Sequence, residues 1–332
     1  MKNPEPRPTP KKSFVADAIL SAMQKNSRFS NSYRPVAEPT RSVADGGTLR
    51  ISDIQYGTRY PNSYLDIYVL GNDLITKRPT FIYVHGGGFV LGDKISPDPA
   101  AQGDGGFGVV RDPIIDAGYN LVSIDYALAP EFKYPVPVIQ LSQAIAFLQD
   151  HASDYGLNMD QVVIGGASAG GQIVGQFALI ESDPIYSERV GIEPVMNGNL
   201  KAVVLDSAVI DTSRAGKTQT RKMVTNLLFG LARRAYLGRS ARFLREADIL
   251  GNVTSNYPPT FISDGNTGTF PDQAGDLHNK LNQLGVSNIL NVYPRTEVAL
   301  GHAFMVSPSK FTTDYNRLKV DFLSRILAPG EQ

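Results

Sequence analysis

Residues 165–171 read GGASAGG and set Ser168 between Gly166-Ala167 and Ala169-Gly170. A serine among such small neighbours suits a strained turn between a strand and a helix, where bulk on either side would keep the two elements apart. The G-x-S-x-G spacing is short and its residue types are common, so its weight comes from context. QVVIGG before it reads as a strand, and AGGQIVGQFALI after it reads as a helix. That is the setting in which a hydroxyl is held above a sheet, with the next amide and a helix N-terminus beside it, ready to attack a carbonyl. A Gly-rich phosphate turn is the competing reading, but this segment carries neither the dinucleotide glycine spacing nor a Walker lysine.

About 80 residues upstream, FIYVHGGGF places His85-Gly86-Gly87-Gly88 directly after a strand. Consecutive glycines let backbone amides face a ligand with no side chain in the way. Together with the amide of Ala169 they can stabilise the oxyanion of a tetrahedral intermediate. Such chemistry also needs a base, and the chain has only four histidines. His85 lies inside the glycine turn and reads as a residue that fixes the loop. His151 ends a helix among polar residues, and His278 lies in the helical AGDLHNKLNQLG. His302, in LGHAFMV after the strand-like NILNVYP, remains. In the chain order serine, acid, histidine it is the natural general base, taking the Ser168 proton and returning one to the leaving group.

The elements that must hold these residues alternate. TFIYVHGGG, YNLVSIDYA, QVVIGGAS, KAVVLDSAV, TFISDGN and NILNVYP are short runs rich in β-branched and aromatic residues, several of them continuously apolar. Strands buried on both faces of a parallel sheet read this way. Helical stretches lie between them, so the pattern predicts a doubly wound, mostly parallel α/β sheet. Two strand-like runs precede it, LRISDIQYG and SYLDIYVLG, the second alternating with period two. SFVADAILSAMQK has helical apolar spacing with Ser13 at its start. From about residue 212 to 250 the sequence is helical, basic and apolar, and is expected to form a lid over the carboxyl edge of the sheet. Residues 1–12, with four prolines in the first ten, are expected to be an extended tail, and residues 13–332 a single domain with cap elements at about 13–45 and 212–250.

Composition excludes several classes. The 332 residues carry 32 basic and 32 acidic groups, which gives no reason to expect nucleic acid or an anionic membrane as partner. There is no cysteine, hence no disulfide, thiolate metal site or cysteine nucleophile. No apolar stretch approaches a membrane span and the N-terminus has no apolar signal core, so a cytoplasmic location is expected. A homodimer stays open.

HGGGF, then SIDYALAPE, then DQVVIGGASAGG, then GHAF near the end together resemble the hormone-sensitive-lipase-like esterases of the α/β-hydrolase fold, over roughly residues 60–325. The resemblance implies hydrolysis of short- to medium-chain carboxylic esters without metal or cofactor, with a small-molecule ester as partner. It implies Ser168 as nucleophile, His302 as base, and the amides of Gly87, Gly88 and Ala169 as oxyanion donors. Asp125 and Tyr126 would be structural. The chain departs from the pattern at Ala127, where these esterases carry arginine, and at the acid. Counting from Pro258-Pro259, the usual acid position falls on Gly268, and the second acidic position falls on Asp272. Asp272 is therefore the first candidate for the acid and Asp206, at the end of AVVLDS, the second; Asp264, Asp211 and Glu297 are further candidates. Asp272 also reads as a residue capping the helix DQAGDLHNKL.

Overall fold

The computed structural model of the protein describes residues 9–25, 27–35, 39–43, 47–99, 101, 106–219 and 223–328. Most of the expected N-terminal tail lies outside them; residues 9–12 form no helix or strand, and Pro10 is buried.

Nine strands among the described residues make one sheet: β1 (Thr40–Val43), β2 (Leu49–Gln55), β3 (Tyr64–Val69), β4 (Arg78–Val84), β5 (Asn120–Ile124), β6 (Leu157–Ala167), β7 (Leu200–Asp206), β8 (Thr260–Ser263) and β9 (Asn288–Asn291). Their order is β1-β2-β3-β5-β4-β6-β7-β8-β9. β1, β2, β3 and β5 pair antiparallel. β5, β4, β6, β7, β8 and β9 pair parallel, giving the mostly parallel α/β sheet that the apolar runs predict and the arrangement that the resemblance to α/β-hydrolase esterases implies.

Alternation along each strand feeds two cores, one on either face of the sheet. Ile82, Val84, Val122 and Ile124 face a core shared with helices α3 (Val136–Asp150), α4 (Ala169–Ser182), α5 (Pro184–Val190) and α9 (Pro271–Gln283). Phe81, Tyr83 and Leu121 face the other, shared with α2 (Gly108–Asp116) and α10 (Lys310–Leu327). β3 alternates in sequence, yet every residue in it is buried. Its polar member, Asp66, is paired inside with two cations: Arg50 Nη2 lies 2.6 Å and Lys94 Nζ 3.8 Å from its carboxylate.

Helix α1 (Phe14–Lys25) packs against α6 (Met223–Leu237), which is followed by α7 (Ala241–Glu246) and α8 (Ile249–Asn252). The helical insertion thus has helices where the sequence predicts them. Among the described residues no helix is long and apolar enough to cross a membrane.

Register decides what meets at the carboxyl edge. Val84 pairs with Gly166, Ala167 with Asp206, and Asp206 with Ser263. The next residue of each strand, His85, Ser168, Ser207 and Asp264, therefore arrives at the same edge.

Candidate active site

Ser168 is the hinge between β6 and α4, with φ 54° and ψ −112°. A non-glycine residue there stores backbone strain on the order of 1–3 kcal/mol, tolerated only where the surroundings over-determine it. Its amide donates to the Asp206 carbonyl at 2.7 Å, tying the turn to β7. The flanking glycines are a packing requirement. A Cβ on Gly166 would lie 2.6 Å from the Gly170 carbonyl carbon, and one on Gly170 would lie 2.1 Å from the Val84 carbonyl oxygen.

Ser168 is 3% exposed and His302 is 6% exposed. Ser168 Oγ lies 2.8 Å from His302 Nε2. The imidazole sits beside the rings of Phe229 and Phe270, with centroids 5.0 and 5.6 Å away. Burial pushes its pKa down to about 4, so the ring is neutral at ordinary pH and able to accept a proton. The loop that carries it is anchored by the Ala303 amide, which donates to Ser207 Oγ at 3.0 Å.

The other ring nitrogen meets a hydroxyl. His302 Nδ1 is 2.8 Å from Thr269 Oγ1, and Thr269 Oγ1 donates to Asp264 Oδ1 at 2.6 Å. The Asp264 carboxylate also accepts from Ser207 Oγ at 2.5 Å, from the Gly265 amide at 2.7 Å and from the Phe270 amide at 2.8 Å. Burial pushes its pKa up to about 7, against the opposing pull of these donors.

This geometry does not bring the first two acid candidates to His302. Asp272 does not turn toward His302: it is in the first turn of α9, and its Oδ2 is held by Arg214 Nη2 at 2.5 Å. Arg214 also binds Asp276 at 2.6 Å, so a cation on the insertion side draws Asp272 outward. Asp206 points to the opposite face of the sheet, where its Oδ2 accepts from Tyr315 at 2.6 Å beside Lys319. It is at the end of β7, and alternation sends its side chain away from the edge that Ser207 shares with Ser168. Asp211 accepts from the Ser213 amide and Glu297 is exposed. Asp264, among the remaining candidates, reaches His302 only through Thr269. No sequence signal marked Thr269.

The glycine turn is clamped from several sides. The Gly87 carbonyl accepts from the amides of Val90 and Leu91. His85 Nδ1 donates to the Gly86 carbonyl at 2.8 Å, and its ring stacks on Tyr126 at 4.1 Å. The Tyr126 hydroxyl donates to the His85 carbonyl at 3.0 Å. Asp125 Oδ1 accepts from the Lys94 amide at 2.6 Å. Ala127, where the resemblance has arginine, is fixed by its backbone instead, its amide donating to Gln140 Oε1 at 2.8 Å. His151 pairs with Asp154, and His278 with Asn288. One further carboxylate belongs to the site and was not singled out by sequence: buried Asp98, whose Oδ2 lies 3.6 Å from His302 Nε2.

A cavity of about 190 Å³ opens onto Ser168 and His302 and is lined by Gly87, Gly88, Leu228 and Met23 among others. Ala169, the first residue of α4, lines an adjoining pocket with Ser168 and Gly88; first-turn amides have no acceptor within their own helix. A larger open cleft lies between the α1 side and the start of α3, around Asp17, Lys133 and Pro135, and holds neither Ser168 nor His302. Among the described residues no three His, Cys, Asp or Glu side chains gather as a metal site.

Comparison with known proteins agrees with this architecture. An acetyl esterase of Salmonella paratyphi B is 24% identical over 239 residues, covering 69% of this chain and 66% of that protein. Esterase LipQ of Mycobacterium tuberculosis is 28% identical over 249 residues, covering 70% of this chain and 56% of that protein. The chain thus spans somewhat less than two thirds of the length of these relatives. A tributyrin phosphonate-inhibited esterase B from Lactobacillus rhamnosis shares the fold, with a TM-score of 0.71 at 18% identity over 95% of this chain and 96% of that one. The sequence pattern of the BD-FAE family matches residues 65–281, more than half of the chain, and the protein accordingly belongs to the BD-FAE family, on an α/β-hydrolase fold.

Proposed function

We propose that the protein is a serine carboxylesterase that hydrolyses short- to medium-chain carboxylic esters through an acyl-enzyme on Ser168. The observation that carries this reading is the 2.8 Å contact between Ser168 Oγ and the Nε2 of a buried, neutral His302. Ser168 Oγ attacks the ester carbonyl carbon as its proton passes to Nε2. The amides of Gly87, Gly88 and Ala169 receive the charge that develops on the carbonyl oxygen. The imidazolium then protonates the departing alcohol, and water repeats the sequence on the acyl-enzyme. The size of the cavity supports small acyl groups, since pockets for drug-sized ligands run about 300–1,000 Å³. The names of the relatives, an acetyl esterase and LipQ, support the same substrate class.

The segments α1 and 212–250 act as the cap of a single hydrolase domain in this reading, supplying Met23, Leu228 and Phe229 to the pocket. Hydrolysis of p-nitrophenyl acetate and butyrate tests it: Ser168→Ala is expected to abolish turnover, and a variant as active as the parent removes the assignment. Amide hydrolysis or acyl transfer would use the same acyl-enzyme, and an aryl-amide panel separates them.

A non-catalytic binding protein on this fold is the second reading. It is favoured by one observation, a hydroxyl rather than a carboxylate at His302 Nδ1. Labelling of Ser168 by a fluorophosphonate decides between them, because only an activated serine reacts at speed.

A further inference from the structure

The loop between β8 and α9 closes on a single carboxylate. The Gly265 amide, the Phe270 amide and the Thr269 hydroxyl all donate to Asp264, and Ser207 donates from the neighbouring strand end. Gly268, at the position where the resemblance expects an acid, has φ 66° and carries no side chain to offer. The turn it makes lets Thr269 sit under the imidazole.

We propose that Thr269 and Asp264 together replace the acid of the site, with Thr269 as a hydroxyl relay that fixes the tautomer of His302. This rests on the reading of Ser168 and His302 as nucleophile and base. The hydrogen-bond directions follow from the chemistry of the groups. An ionised carboxylate only accepts, so Thr269 spends its one hydroxyl proton on Asp264. Its oxygen then faces His302 Nδ1 as an acceptor, and Nδ1 must carry the ring proton. Nε2 is left with its lone pair toward Ser168 Oγ, which is the tautomer a general base needs. When Nε2 takes the serine proton, the charge on the imidazolium is met by the Thr269 oxygen at 2.8 Å and by the Asp264 carboxylate behind it. Both residues act through His302 and are positioning residues.

Asp98 cannot fill this place. Its Oδ2 is on the Nε2 side of the ring, 3.6 Å away. Were it to set the tautomer, it would draw the proton to Nε2, the wrong nitrogen for a base. The two carboxylates thus pull the ring proton in opposite directions, and the tautomer reports which one prevails.

The parent protein supplies the first test. With ¹⁵N-labelled histidine at about pH 9, two-bond proton–nitrogen spectra, assigned against His302→Gln, are expected to show His302 protonated at Nδ1; an Nε2–H ring overturns the relay. Activity supplies the second. Thr269→Val is expected to lower kcat on the order of a hundredfold with KM within about twofold, in the range of a lost acid–base orientation. Thr269→Ser, which keeps the hydroxyl, is expected to stay within about threefold of the parent. A Thr269→Val kcat within threefold of the parent, or a Thr269→Ser enzyme as slow as Thr269→Val, overturns it. The two readings fail separately: a fully active Ser168→Ala protein removes the nucleophile assignment and leaves the tautomer spectrum to decide the hydrogen-bond order.

Discussion

Arg214 holds Asp272 by a 2.5 Å contact between Nη2 and Oδ2, and so keeps the most plausible carboxylate of the sequence away from the imidazole. Asp272→Asn is therefore expected to leave ester turnover within about threefold of the parent. The variant loses part of a partly exposed ion pair, worth up to about 1 kcal/mol. A fall of a hundredfold in kcat, read on p-nitrophenyl butyrate, would return Asp272 to the catalytic centre.

Asp264→Ala is expected to be costly to the fold as well as to the rate. It strips the acceptor from two hydroxyls and two amides, all buried together. A buried donor left unsatisfied costs about 1–3 kcal/mol, though Ser207 and Thr269 can turn to other acceptors. Thermal unfolding should show the loss directly, with Asp264→Ala melting several degrees below Asp272→Asn.

Two buried groups predict the acid side of the pH profile. His302 is pushed down to about 4, Asp264 up to about 7, each by desolvation of its charged form. The base works when neutral, so protonation of His302 removes activity only as pH falls toward about 4. Asp264 takes its proton earlier on the way down. A neutral carboxyl can donate to Thr269, which then donates to Nδ1 and leaves the proton on Nε2. His302 is the titratable group that faces Asp264, through Thr269, and Asp98 faces the ring from the Nε2 side. The expected kcat/KM is flat above about pH 8, falls through about 7 and falls again toward 4; Thr269→Val should lose the step near 7. A single step near 4 in the parent would mean that Asp264 does not control the ring.

Gly170 touches the sheet too closely for any side chain. With a hypothetical Cβ 2.1 Å from the Val84 carbonyl oxygen, Gly170→Ala must push α4 off β4 and shift Ser168 with it. Overpacking of this kind costs about 1–3 kcal/mol or more, which corresponds to a fall in Tm of roughly 1–4 °C or more for a chain of this size. Activity should fall by more than tenfold, since small misplacements of a nucleophile are expensive. Calorimetry and turnover on the same sample check both parts.

Phe229 walls the cavity beside His302 and packs on Phe270, with ring centroids 4.5 Å apart. Phe229→Ala is expected to enlarge the pocket and move the best p-nitrophenyl ester toward longer acyl chains. An unchanged chain-length profile would place the acyl group elsewhere.

The strand runs, the helical insertion and the pair Ser168 and His302 were legible in the sequence, because they rest on local signals: β-branched runs, helical spacing, and small residues at a strained turn. The chain order then singled out His302 from four histidines. The glycines at 166 and 170 were legible for the same reason, since only glycine fits where a helix leaves a strand at contact distance. The partner of His302 Nδ1 was not. It depends on where Arg214, from an insertion with no fixed geometry in the sequence, draws Asp272. It depends also on strand register, which sends Asp206 to the far face and Ser207 to the near one. A threonine carries no charge and gives no motif; its role exists only because the loop folds around Asp264 and brings a hydroxyl under a ring 33 residues away in the chain. Periodicity and spacing determined which elements form and where Ser168 and His302 arise, whereas the competition among buried donors, cations and carboxylates for each other was decided only when tertiary packing set the distances.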